Sequence, residues 1–272
     1  MTTLTQPSTV PRLLWQTLRL TGRHFLPLFA IGGIPWAVFA LIPILLGQDQ
    51  SFADLRNSQV PVTLEQLYPF GWAMLYGAVV FPLVNGALAW ASAQALQGRP
   101  VRVVEAYRAA LPHWGRLLAV YWGYGAVLLA IGVILTLLAR WYKPTLWQGS
   151  GGLALAGDLS TCYFLILMTL FTQILVLEGL SLRQAWTRAR QLNAGAGWRL
   201  VGLLIVLTLA GMLVVEVGLA KAGPWAEVLG SGLTNLRCMV GITGVYWEER
   251  GREEAIRGEE EEDEGEIVLD GD

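Results

Sequence analysis

This sequence predicts an all-α integral membrane protein of six transmembrane helices, built as three parallel repeats of an amphipathic elbow helix plus two spans. Three observations predict it. Six apolar stretches each reach the length of about 20 residues that a helix needs to cross a bilayer. Short arginine-bearing amphipathic segments recur before the first, third and fifth stretches. Basic residues also crowd onto alternate connections, as they do when one set of loops faces the cytoplasm. The mean hydropathy of +0.48 over 272 residues fits this class. Soluble core helices rarely run so long without a polar face.

Residues 1–9 are polar and uncharged, without the basic start, short apolar run and cleavage site of a secretory signal. The first repeat, about residues 10–97, carries Arg12, Arg19 and Arg23 in its lead-in, then spans from Phe25 to Gly47 and from Phe70 to Leu96. Pro27, Pro35, Pro43 and Pro82 fall within these two spans and predict kinks. The second repeat, about 98–178, opens with a helix in which Val103, Ala106, Tyr107 and Ala110 share one face while Arg102, Glu105 and Arg108 point away. Its spans run from Trp114 to Leu138 and from Leu153 to Leu177. The third repeat, about 179–252, opens at Ser181, placed to cap a helix whose apolar side is Leu182, Ala185, Trp186 and Ala189. Its spans run from Trp198 to Ala220 and from Pro224 to Trp247, the last diluted by Gly230, Gly232, Asn235 and Arg237. The three lead-ins are expected to lie in the headgroup plane, where arginine is favoured by anionic lipid. Repeats holding two spans each enter the membrane in one orientation, a pattern known in transporters.

The basic residues place both termini in the cytoplasm of a cell membrane, with only Arg56, Arg140, Lys143 and Lys221 on the opposite side. Trp15, Trp114, Trp186, Trp198 and Trp247 mark the inner boundary, and Tyr68, Trp72, Trp141, Tyr142, Trp147 and Trp225 the outer. Residues 1–247 hold 16 basic against 8 acidic side chains, a charge of +8, whereas residues 248–272 hold 3 against 13, a charge of −10. The acidic tail over 253–272 has too little apolar surface to offset the entropy of ordering, so disorder is expected there. The two cysteines, Cys162 and Cys238, both fall inside predicted spans and support neither a disulfide framework nor a metal site.

The run Leu177-Glu178-Gly179-Leu180-Ser181, followed by Ala185, Leu192 and Trp198-Arg199, resembles the signature of a bacterial membrane domain. That domain stands at the N-terminus of some glycerophosphoryl diester phosphodiesterases and alone in relatives of unknown function. Tyr246-Trp247-Glu248-Glu249-Arg250-Gly251-Arg252-Glu253-Glu254 is similar to the family's ending, and the resemblance covers about residues 10 to 255. It implies a prokaryotic membrane protein and brings no hydrolysis with it, because family enzymes act in a separate soluble barrel. His24 and His113 are the only histidines, and each sits at a membrane boundary where anchoring is the ordinary role.

No catalytic triad, phosphate-cradling glycine loop or metal-ligand spacing is present, so no enzymatic activity and no cofactor are expected, and nothing points to nucleic acid. Two sets of residues carry the functional expectations. The first is an intramembrane polar cluster of Asn85, Glu216, Asn235 and Arg237, with Asp158 and Gln173 also within spans, where ionisable groups are costly and face an interior or a wet cavity. The second is the headgroup-facing set Arg102, Arg108, Arg183, Arg188 and Arg190, whose partners are anionic membrane lipids or a protein. A non-catalytic scaffold assisting an envelope or lipid-related process leads, and a transporter or channel subunit is the alternative. Convergence of the polar cluster on a hydrated cavity favours transport; a filled interior with an exposed groove among the lead-in helices favours scaffolding.

Overall fold

The computed structural model describes residues 8–45, 76–141, 170–213 and 224–267. Among them it is all-helical. The helices are α1 (Val10–Arg23), α2 (Phe25–Leu45), α3 (Phe81–Leu96, preceded by a π-helical turn at Tyr76–Val80), α4 (Val103–Ala110), α5 (Trp114–Trp141), α6 (170–177), α7 (Leu182–Leu213) and α8 (Pro224–Ile267). Tyr76–Leu96 is the one unbroken helix among the described residues that is long and apolar enough to cross a membrane. Leu182–Ala194 and Ala196–Gly211 reach that standard together but bend by 82° at their junction, and Phe25–Phe39 is a shorter apolar helix. Most of the expected fourth span, residues 153–169, lies outside the described residues.

Helix α8 is the organiser, packing against α7, α2, α3 and α1. It pairs antiparallel with α7: Arg199 meets Glu248, and Leu203 and Leu207 face Gly241. A Cβ added at Gly241 would stand 3.0 Å from Leu203 and 3.3 Å from the Thr17 hydroxyl, so this glycine admits two helices at once.

Two turns are made by glycines in the left-handed region. Gly98 (φ 72°) ends α3, with its N–H donating to Ala95 O and the Arg99 N–H to Gln94 O, which satisfies carbonyls that a helix end leaves free. Gly179 (φ 67°) ends α6 in the same conformation. After Gly98 the chain folds back, and Ala110, twelve residues past the turn, meets Gly86, twelve before it; a Cβ on Gly86 would lie 3.3 Å from that of Ala110. Helix α4 therefore packs along α3. Its Tyr107 hydroxyl donates to Ile31 O at 2.7 Å, which ties it to α2 as well. The cause is the pair of small residues on its buried face, Ala106 and Ala110, both fully enclosed.

The other lead-ins bury matching pairs four residues apart. In α1 these are Thr17 and Thr21, and in α7 Ala185 and Ala189. Helix α1 lies on α8, with the Ser8 N–H donating to Glu248 Oε1 at 2.6 Å and Thr17 beside Gly241. The start of α7 lies on α6, where the Trp186 and Phe171 rings are 5.7 Å apart. Ser181 opens α7, and Gln184 Oε1 accepts from both its N–H and its hydroxyl.

The acidic end departs from expectation. Composition predicts disorder over 253–272, yet α8 continues unbroken to Ile267. Glutamate and arginine are good helix formers, and Arg250–Glu254 and Arg252–Glu249, both 2.9 Å, are pairs of the spacing that supports a helix.

The core is mainly apolar, with a few polar side chains inside it and large apolar ones on the surface. Asn85, Ser92, Thr172, Gln173 and Thr243 are buried, while Leu26, Ile34, Val38, Trp122, Ile205 and Leu209 stand on the outer surface, Leu26 at 77% exposure and Trp122 at 62%. The charged groups gather instead at one end of the α7–α8 pair.

Candidate functional site: a buried polar chain and an ionic clasp

The polar chain is built from four helices. Asn235 Nδ2 on α8 donates to Asn85 Oδ1 on α3 at 3.3 Å, and Asn85 Nδ2 donates to the Tyr121 hydroxyl on α5 at 2.8 Å. That hydroxyl lies 3.4 Å from Thr172 Oγ1 on α6. Asn85 is 2% exposed and Thr172 fully enclosed. The structure thus brings together Asn85 and Asn235 from the expected cluster. Arg237 is half-buried and makes no ion pair among the described residues, while Glu216 and Asp158 lie outside them. Tyr121 and Thr172 escaped the sequence reading because a tyrosine or threonine inside an apolar run carries no charge to draw attention. Gln173, adjacent to Thr172, is fully enclosed with neither amide atom hydrogen-bonded, as is the Ser92 hydroxyl.

The second constellation lies where the lead-in of α7, the end of α6 and the acidic part of α8 meet. Glu178 accepts from the Tyr246 hydroxyl at 2.5 Å and stands 3.6 Å from Arg188 Nε. Arg188 also pairs with Glu253. Arg199 pairs with Glu248 at 2.8 Å and with Glu249, and Glu249 also takes Arg252 at 2.9 Å. The side chains of Arg199, Glu248 and Glu249 are 16%, 13% and 8% exposed, so water screens these pairs only weakly. Burial works against the Arg188 charge, but Glu253 and Glu178 outweigh it and raise its pKa above the ordinary value. Arg116 adds a tie from α5, donating to Gly179 O at 3.1 Å and Leu180 O at 3.2 Å. No family model, curated protein or solved structure matches the chain.

The clasp corrects one expectation about the headgroup-facing arginines. Arg188 turns inward to Glu178 and Glu253, because a guanidinium next to two half-buried carboxylates gains more from them than from solvent. Arg102 pairs with Glu105 at 2.9 Å on the surface. Arg108, Arg183 and Arg190 are exposed and make no ion pair among the described residues. A concavity of about 360 Å³ lies beside Arg190, lined by Thr187, Arg190, Gln191 and Ala194. No group of three histidine, cysteine or carboxylate side chains that could hold a metal occurs among the described residues.

Burial and an arginine neighbour lower the pKa of each histidine: Arg23 acts on His24 and Arg116 on His113. Both are therefore kept neutral, which suits anchors at a polar boundary.

Proposed function

We propose that this chain is a non-catalytic, multi-pass membrane protein of six spans with cytoplasmic termini, which scaffolds or assists an envelope or lipid-related process from its cytoplasmic face. The observation that carries the choice of scaffold over transporter is the state of the interior. Asn235, Asn85, Tyr121 and Thr172 hydrogen-bond one another across four helices, though Gln173 and Ser92 beside them find no partner among the described residues, and a concavity lies outside, on the lead-in of α7. Hydrogen bonds of this kind between helices act as glue in a lipid environment.

Membrane insertion is supported by the large apolar side chains on the outer surface of an apolar core, Leu26, Ile34, Trp122 and Leu209 among them. The repeat reading is supported by the lead-ins. Each has two buried small residues four apart and touches the second helix of the preceding repeat: α4 on α3 through Ala110, the start of α7 on α6 through Trp186, and α1 on α8 through Thr17. The third relation closes the series.

Reconstitution into sealed vesicles tests the reading. Solute and ion flux should equal that of empty vesicles, while cross-linkers placed at Arg183 or Arg190 in living cells should capture neighbours that a cross-linker at Asn85 does not. Flux above background that Asn85→Leu abolishes would establish the transporter instead.

A further inference from the structure

We infer that the concavity on the lead-in of α7 seats the phosphate of an anionic phospholipid headgroup, with Arg190 as its cation and Gln191 as its neutral donor. This rests on the membrane reading above and adds a site to it.

The stripe follows from helix geometry. Thr187, Arg190, Gln191 and Ala194 stand at i, i+3, i+4 and i+7, so they share one face. The opposite face, with Ala185, Ala189 and Leu192, is buried against the bundle. The stripe therefore looks away from the protein at the place where α7 bends by 82°. Ala194 leaves room there, and together the four side chains border a space of about 360 Å³.

Charge selects the occupant. The nearby arginines Arg188 and Arg199 are engaged by Glu178, Glu253, Glu248 and Glu249. Among the described residues Arg190 has no such partner and no carboxylate lines its concavity. Glu178, Glu248, Glu249 and Glu253 are held by Arg188 and Arg199 in the clasp. A guanidinium joined by a side-chain amide matches a phosphate diester, which accepts hydrogen bonds without donating any. The Thr187 hydroxyl already donates to Arg183 O at 3.3 Å, so it shapes the floor rather than binding.

Depth distinguishes a lipid from a free phosphate ester. Trp186 and Trp198 flank the stripe in sequence, one 42% and the other 88% exposed. An indole so bare is characteristic of the membrane boundary. A headgroup presented there needs no soluble ligand pocket with walls on all sides.

The test is native mass spectrometry of the full-length protein released from detergent after equilibration with phosphatidylglycerol or phosphatidylcholine. Phosphatidylglycerol should remain bound, and Arg190→Gln should lower the retained fraction roughly fivefold, the effect of one basic residue at a membrane surface. Arg99→Gln removes an equal charge from an exposed position elsewhere and should leave retention unchanged. Gln191→Glu, which puts a carboxylate into the concavity, should reproduce the loss even if Arg190→Gln folds poorly. Equal retention by the wild type and both variants overturns the site, as does an equal loss in Arg99→Gln. Displacement by millimolar glycerol phosphate would show a soluble ester as the occupant and also overturn it. A chain that stays monodisperse without detergent would instead refute the membrane reading itself.

Discussion

Arg199 holds two carboxylates at once, and its removal should be felt through them. Arg199→Gln leaves Glu248 and Glu249 weakly solvated without their main partner. Breaking a buried pair by deleting one member costs about 3–5 kcal/mol; because these groups keep some contact with water and Arg252 remains on Glu249, roughly 2 kcal/mol is expected. Thermal unfolding in detergent measures it, and Glu249→Gln in the same background should restore part of the loss. Gly86 is a second sensitive residue. Gly86→Val would drive a branched side chain into Leu117 and Ala110, and overpacking of this kind costs about 1–3 kcal/mol. The histidines set a pH dependence. Their folded pKa values lie below the unfolded value near 6.5, so the unfolded chain binds more protons and stability falls as pH drops through and below 6.5. His113→Gln should flatten part of that slope between pH 7.5 and 5.5. At this scale the sequence was legible where a residue type is rare. Arginines and membrane asparagines stood out, while Tyr121 and Thr172 did not, because their role depends on neighbours from other helices.

The helices show how much a pattern discloses. Helix starts at Val103, Trp114 and Pro224 fall where amphipathic periodicity, an interfacial tryptophan and a proline at the first turn place them. The path of α4 could not be read the same way. Amphipathicity gives the face that is buried, and the small alanines on it suit close helix packing, but neither says that the partner is α3 at Gly86. The tail carries α8 on to Ile267, and charge density there argues against a core, not against a helix. The clasp acids end at Glu253, which makes truncation informative. Deleting residues 258–272 should leave tryptic cleavage at Arg183 and Arg190 as it is. Ending the chain at Trp247 removes Glu248, Glu249 and Glu253, and cleavage there should accelerate several-fold.

For the molecule as a whole, topology is the decisive prediction. Single cysteines introduced between Asp49 and Glu65 should react with an impermeant reagent in intact cells, and cysteines at residues 258–272 only after permeabilisation. Reaction of both sets on the same side would remove the six-span arrangement. That the described residues are all helical followed from composition and the length of the apolar runs. Which polar side chains meet did not, since pairing across helices depends on rotation about each axis, a quantity that hydropathy does not encode.

The contact of Ser8 and Thr17 with Glu248 and Gly241 joins segments that lie 240 residues apart in the case of Ser8. At about 5–20 residues per second on the ribosome, the first helix waits roughly 12 to 48 seconds for the last to be made. Closure of this contact thus depends on synthesis of α8, and a chain stalled before Gly241 leaves Thr17 without the glycine that it packs beside.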